Sequence, residues 1–355
     1  PPPIFFLIIR RPARSTPLYS AAASDVYKRQ LGSHSCEGGF HYRDKDRPFI
    51  TMQSRSRDGG LTWETLEAPL NAPGDVAICA DEHMNIDLGP VHRRSNPPKA
   101  FDRHIDFSKP DFAILMGRTG IRGSCESYFY TTNDRCRTWQ GPYSFPMFDL
   151  GGIAARTDII PDAVDGKKCM FFLTATKVDG DQGRVFCVET RDAGQSFQLV
   201  SWLREFPEGI ENMPSTVRLP SGRLLTAIRC RSEIESKGWI DLMYSDDNGT
   251  NWGLLSKPVT GTGSAGNTPA MLYLSDGRLC LIYGYRDKGA GIRYVISTDD
   301  GKSWDEEIII RDDAGNHDIG YPRAIERPDG KVVVVYYYND TADSERYIAA
   351  TIWKP

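Results

Sequence analysis

Apolar runs recur along the later part of the chain at a nearly fixed interval, each directly after a glycine turn. Residues 169–173 follow Asp165-Gly166-Lys167, residues 224–228 follow Ser221-Gly222-Arg223, residues 279–283 follow Asp276-Gly277-Arg278, and residues 332–338 follow Asp329-Gly330-Lys331. The glycines of these turns stand 56, 55 and 53 residues apart. Apolar stretches rich in β-branched and aromatic residues and bounded by turn chemistry predict strands.

A second pattern runs in step with the first. Ser/Thr-x-Asp-x-Gly-x-Ser/Thr-aromatic occurs five times, around Asp58, Asp134, Asp192, Asp247 and Asp299, with Cys136 in the glycine place of the second copy and Asn251 in the Ser/Thr place of the fourth. The aspartates are 76, 58, 55 and 52 residues apart. These residue types suit a tight hairpin turn: the carboxylate accepts hydrogen bonds from its own turn, glycine allows positive φ, and the aromatic packs beneath. The five aspartates are therefore read as turn formers rather than catalysts. Each repeat reads as strand A, glycine turn, strand B, strand C, Asp turn, strand D.

The eight-residue pattern resembles the Asp-box, or BNR, repeat of the sialidase-like β-propellers. The resemblance and the period predict an all-β, six-bladed β-propeller of four-stranded antiparallel blades with Asp-box turns, forming a single domain over residues 31–355. Only five blades carry an Asp box. The sixth ends with residues 347–353, so its outer strand is expected from elsewhere, as the N-terminus usually supplies it in a closed propeller. Residues 1–30 are set aside: the segment 11–30 resembles translated sequencing-adapter read-through found in assembled metagenomic data. The apolar stretch Ile4 to Ile9 is too short to span a bilayer and lacks the flanks of a signal peptide. The first blade is accordingly expected to lack its first strand, and any targeting signal to be lost. A long surface loop containing Ser95-Asn96-Pro97-Pro98 is expected between the first Asp box and Asp111.

Composition changes this picture little. With 40% apolar and 25% charged residues and a formal net charge of −4, the chain reads as an ordinary globular protein with no sign of a nucleic-acid or membrane partner. Eight cysteines occur singly without C-x-x-C pairs and read as small buried residues of a reducing compartment, with Cys169 and Cys187 the one pair that strands B and C of a blade could bring face to face. The six histidines make no metal signature, so neither a metal nor another cofactor is expected.

Strand direction locates a site. Both turns of a blade lie at one edge, so the opposite edge carries the starts of strands A and the ends of strands B. The A starts are Arg156-Thr157-Asp158, Glu211-Asn212-Met213, Asn267-Thr268 and the run from His317 and Asp318 through Tyr321 to Arg323. The B ends are Arg118, Lys177, Arg229-Cys230-Arg231, Tyr285-Arg286 and Tyr338-Asn339. Arg, Glu, Asp, His and Tyr gathered at one edge point to a pocket for an anionic or heavily hydroxylated ligand such as a glycan or small saccharide.

The sialidase resemblance implies roles for these positions. Sialidases use a Tyr nucleophile with a Glu base, an Asp acid and three arginines on the substrate carboxylate. Gly320-Tyr321-Pro322-Arg323 looks like the nucleophile segment, and Glu211-Asn212-Met213-Pro214 with Arg229 looks like the segment of the base and second arginine. The resemblance thus implies Tyr321 as nucleophile and Glu211 as base, with Asp158, His317 and Asp318 as further catalytic candidates. Arg229, Arg231, Arg286, Arg323, Arg118 and Asn267 are the substrate-binding candidates. The chain departs from the family in three places. The usual Glu place falls on Met213, two residues from Glu211; Gly289-Ala290 stand where the third arginine belongs, leaving Arg286 or Arg293 to substitute; and the first arginine and its companion acid, Asp44 or Asp46, fall on or near the missing strand. The expected activity is that of an exo-acting, sialidase-like glycoside hydrolase on a terminal acidic sugar. The alternatives are a propeller hydrolase or lyase on uronate-containing or other glycans, with Tyr321 and His317 as acid and base on a uronate, or a glycan-binding module without catalysis.

Overall fold

The computed structural model describes residues 52–67, 71–72, 76–77, 98–118, 127–153, 158–176, 182–235, 237–342 and 347–355. All regular structure among them is β. The strands are β1 (Met52–Arg55), β2 (Glu64–Glu67), β3 (Asn71–Ala72), β4 (Val76–Ala77), β5 (Ala113–Arg118), β6 (Ser127–Thr132), β7 (Gln140–Ser144), β8 (Asp158–Pro161), β9 (Cys169–Thr176), β10 (Gln182–Thr190) and β11 (Gln198–Trp202). They continue with β12 (Ile210–Arg218), β13 (Leu224–Arg231), β14 (Lys237–Ser245), β15 (Gly253–Ser264), β16 (Ala270–Tyr273), β17 (Leu279–Tyr285), β18 (Gly291–Ser297), β19 (Ile308–Arg311), β20 (Gly320–Glu326), β21 (Val332–Tyr338) and β22 (Tyr347–Trp353). The described residues fall into two compact units, and the chain passes from the first to the second within β10 and β11.

The chain is built of β-propeller blades, each an antiparallel sheet with its strands in sequence order. Sheets β8 to β11, β12 to β15 and β16 to β19 have four strands; β5 to β7 and β20 to β22 have three. Among the described residues this corrects the expected six four-stranded blades to five of three or four strands. The first Asp box sits instead on the two-stranded β1–β2 hairpin, whose four-residue strands have no further partner among the described residues. The start of the chain, Asp44, Asp46, Arg156, Lys177 and most of the long loop before Asp111 lie outside the described residues.

The Asp boxes are the turns expected. In each copy two consecutive residues have positive φ: 77° and 93° at Gly59-Gly60, 60° and 58° at Arg135-Cys136, 64° and 84° at Ala193-Gly194, 57° and 85° at Asn248-Gly249, and 59° and 85° at Asp300-Gly301. Positive φ at both central residues matches the twist of a hairpin. Around Asp192 the carboxylate accepts from Thr190 Oγ1 at 3.0 Å, Ser196 N at 2.9 Å and Ser196 Oγ at 2.5 Å. Asn251 replaces the hydroxyl of the fourth copy by donating its amide to Asp247 at 2.6 Å. Cys136 adopts the glycine conformation and is buried, as are Cys169, Cys187, Cys230 and Cys280, all free thiols.

In the second unit the packing follows from alternation along the strands. Leu279, Leu281 and Tyr283 of β17 pack with Leu225, Ala227, Ile240 and Leu242 of the preceding blade. Cys280 and Ile282, pointing the other way, pack with Val332, Val334 and Tyr336 of the following one. A second strand of a blade is thus covered on both faces, which is why it reads as an unbroken apolar run. The outer strand β19 leaves Ile308 and Ile309 exposed. Asp-box tryptophans tie neighbouring blades: Trp252 Nε1 donates to Ser201 Oγ at 3.0 Å and Trp304 Nε1 to Ser256 Oγ at 3.2 Å, the serines lying on the preceding blades' outer strands.

Candidate active site

Two first strands of the second unit, β12 and β20, are broken at the same point. Their registers against β13 and β21 shift between Asn212 and Ser215 and between Gly320 and Arg323. At each break one residue has left-handed φ and is followed by proline: Met213 at 54° and Tyr321 at 50°. A non-glycine residue there is strained, the more so before proline, and such strain persists only where surrounding contacts hold it. At Tyr321 the holder is Asn267, fully buried, whose Oδ1 accepts from Tyr321 N at 3.2 Å while its Nδ2 donates to Ile319 O at 2.9 Å. Gly284 and Gly320 leave room for this amide; a Cβ on Gly284 would stand 2.7 Å from it. At Met213 the thioether accepts from Thr268 Oγ1 at 2.9 Å and from Arg229 Nη1 at 3.2 Å.

The Tyr321 phenol is set between two buried guanidinium groups. Arg229 Nη1 donates to Tyr321 Oη at 3.5 Å and Arg229 Nη2 to Ala265 O at 2.6 Å. Arg286 Cζ lies 5.4 Å from the Tyr321 ring centroid, a cation–π distance. Its Nε and Nη2 donate to Ile319 O at 3.1 and 3.0 Å, Nη1 to Gly266 O at 3.2 Å, and Nη2 also to Tyr337 Oη at 2.6 Å. Tyr337 in turn donates to Asp318 Oδ1 at 2.9 Å, and its ring packs tilted against that of Tyr321 with centroids 5.3 Å apart. Burial by itself would depress the Arg286 pKa, but Tyr337, Tyr321 and Asp318 carry it above its ordinary value. Burial pushes the Tyr337 phenol well above its usual range despite Arg286.

Glu211 is elsewhere. In the β12–β13 register Glu211 pairs with Cys230 and Asn212 with Arg229, so Glu211 and Arg229 project to opposite faces of the blade. Its buried carboxylate is bound by Arg204 Nη1, and Arg204 Nη2 donates to Asp241 at 3.0 Å. Burial raises the Glu211 pKa from 4.5 to about 7, Arg204 opposing and the Asp241 and Glu208 charges adding to the rise. Ligand atoms of Glu211, Cys230 and Asp241 lie within 4.8 Å of one another. The Arg204 guanidinium already supplies the cation for both acids.

Of the residues singled out in the sequence, the structure brings together Tyr321, Arg229, Arg286, Asn267 and, through Tyr337, Asp318. Glu211 is not among them. His317 is exposed, Arg231 ends β13 half-buried, and Arg323 lies half-buried on β20. Arg293 stacks 3.5 Å over Tyr285 and pairs with Glu307, so of the two substitutes for a third arginine Arg286 is the one at the phenol. Asp158 belongs to the first unit, where its carboxylate accepts from Ile159 N at 3.1 Å. Arg118 ends β5, also in the first unit; its side chain lies outside the described residues. Sequence reasoning passed over Tyr337, which lies inside the apolar run 332–338, and Met213, which stands where a glutamate was expected; the Met213-Pro214 and Tyr321-Pro322 dipeptides at matching places are the signal that links Met213 to Tyr321.

A protein of unknown function from Dyadobacter fermentans is similar in structure, at 24% identity and TM-score 0.54, over 64% of this chain and 63% of that one. An endo-arabinase from Bacteroides thetaiotaomicron aligns at 14% identity and TM-score 0.49, over 73% of this chain and 97% of that one. An α-L-arabinofuranosidase from Fusarium graminearum, solved with an iminosugar inhibitor, aligns at 17% and 0.45, over 56% and 62%. The chain thus spans under two thirds of the length of the Dyadobacter protein. No curated protein matches it. The repeat, the five Asp-box turns and a family match over residues 119–334 agree: the chain belongs to the BNR repeat-like domain family.

Proposed function

We propose that the chain is a glycoside hydrolase acting on a terminal sugar that carries a carboxylate, with Tyr321 as nucleophile. The observation that carries this reading is the Tyr321 hydroxyl, 3.5 Å from Arg229 Nη1, on a ring that also lies against Arg286. A neutral phenol can approach an anomeric carbon beside a carboxylate without the repulsion an ionised acid would meet. Guanidinium groups suit both tasks left over, binding the substrate carboxylate and supporting negative charge on the phenolic oxygen as its proton passes to water. Sialic acid, whose carboxylate is attached to the anomeric carbon, fits both arguments; a uronate, whose carboxylate is carried on C5, fits the arginine pair alone. Tyr321→Phe removes one oxygen and should lower turnover of a fluorogenic sialoside or uronoside by orders of magnitude while sugar affinity stays within about tenfold. A variant retaining more than about a tenth of wild-type turnover would remove Tyr321 from the mechanism, because tenfold is only about 1.4 kcal/mol of barrier.

A second reading, a glycan-binding module without turnover, is favoured by one feature: Glu211 faces Arg204 on the other side of the blade, and Met213 stands in the expected place of the base. Saturable binding of an acidic sugar by a wild-type protein inert on the whole substrate panel decides for that reading.

A further inference from the structure

We infer that Met213 is a positioning residue for the Tyr321 phenol, acting through Arg229. Its importance to catalysis rests on the reading of Tyr321 as the reacting group; its effect on the phenol itself does not. Met213 and Tyr321 occupy the same irregularity in β12 and β20: a register break, left-handed φ of 54° and 50°, and a following proline. They meet at one group, because Arg229 Nη1 donates both to Met213 Sδ at 3.2 Å and to Tyr321 Oη at 3.5 Å.

The thioether is itself anchored by the 2.9 Å bond from Thr268 Oγ1, and Met213 is 8% exposed. The bulge therefore aims the sulfur, and the sulfur aims the guanidinium. Sulfur is a weak, uncharged acceptor. A carboxylate in its place would form an ion pair with Arg229 and cancel the positive charge beside the phenol, whereas a thioether orients Arg229 and leaves that charge in place. Ala265 O, which takes Nη2 at 2.6 Å, is uncharged as well. The charged and titratable groups around the phenol include Arg229 from β13, Arg286 after β17, Tyr337 from β21 and, bonded to Tyr337, Asp318. Two cations lie against the ring. In this arrangement a positioned guanidinium favours the ionised over the neutral phenol, so that the Tyr321 proton passes to water at a lower pH than it otherwise would.

The test reads the phenol directly and needs no substrate. Tyrosine labelled at the ζ-carbon is titrated by NMR, with the Tyr321 signal identified by its loss in Tyr321→Phe. Met213→Leu keeps the bulk and removes the acceptor, and should raise the pH at which Tyr321 ionises by about one unit. Met213→Gln, which restores an uncharged acceptor, should bring it back toward wild type, and Arg229→Gln should raise it at least as far as Met213→Leu does. Thr268→Val frees the sulfur without touching Met213, shifts the signal in the same direction, and decides the matter if the leucine variant fails to fold. A Tyr321 signal that titrates identically in wild type, Met213→Leu and Thr268→Val overturns the inference. A shifted signal combined with full turnover by Tyr321→Phe supports the positioning role and removes the proposed nucleophile, so the two ideas fail separately.

Discussion

Gly320 decides where the Tyr321 phenol stands. Its φ of 116° is one that L side chains rarely adopt, and a Cβ there would overlap the Asn267 amide. That amide is committed in both directions, to Ile319 O and to Tyr321 N, so it has no room to retreat. Gly320→Ala should therefore destabilise by about 2 kcal/mol or more and, in the fraction that still folds, displace Tyr321 and weaken sugar binding. Urea unfolding alongside a sugar titration checks both parts; an alanine variant unchanged in both would show that this approach is not needed. Residue types alone made Tyr321, Arg229 and Arg286 candidates. They could not reveal that Glu211 faces away, because a bulge at Met213 changes which side chains share a face beyond it.

At the scale of the turn, the Asp boxes stabilise local hairpins and take no part in the chemistry proposed. Asp192→Ala removes three acceptor contacts, to Thr190 Oγ1, Ser196 N and Ser196 Oγ, and should lower stability by about 1 kcal/mol or more while leaving the folded protein's activity intact. A soluble variant with wild-type melting temperature and lost turnover would reverse that assignment. The same turns have a pH signature. Hydrogen bonds from the Ser303 side chain and backbone hold Asp299 at about 2, and those from the Asn251 backbone and side chain hold Asp247 at about 2, against an ordinary 3.8. With folded values below the unfolded one, their stabilisation is complete above pH 3.8 and is lost as pH falls toward 2. Replacing Asp299 by Asn should flatten the fall in melting temperature in that acid window and leave it unaltered in slope near neutrality. The aromatic residue that closes each box, a tryptophan in four of the five, was readable as a packing residue. The bonds from Trp252 and Trp304 to a serine of the preceding blade were not, since Ser201 and Ser256 sit in outer strands with no motif of their own.

For the molecule as a whole, the buried cluster of Glu211, Asp241 and Arg204 gives stability a second pH dependence, opposite in sign. Glu211 is raised from 4.5 to about 7, so the folded state holds its proton after the unfolded state has released it. The associated stability is fully present below pH 4.5 and is lost as pH rises through about 7. The loss is on the order of 3 kcal/mol, since each tenfold difference in proton affinity between the two states is worth about 1.4 kcal/mol. Glu211→Gln, neutral throughout, should lack this decline: its melting temperature relative to wild type should rise between pH 5 and 8. Parallel profiles for the two proteins across that range would mean that Arg204 keeps Glu211 ionised in the fold.

What the amino-acid sequence determined by itself was everything periodic. Glycine turns, apolar runs and Asp boxes recur because each blade needs the same hairpins and the same doubly covered strand, so their chemistry is written locally and repeated. The strand order of the four-stranded blades and the turn role of the aspartates follow from that. The count of complete blades did not, because it depends on pairing between distant segments. Nor did the site: which acid meets which base depends on strand face, and the strand face turns on two bulges at Met213 and Tyr321. Tertiary structure decided that Arg229 reaches Tyr321 across blades, that Arg286 is committed to the backbone of the next one, and that Glu211 belongs to Arg204. The first two join residues 92 and 33 apart in the chain, and the third, only seven apart, depends on which face of its strand Glu211 takes; no local pattern encodes any of them.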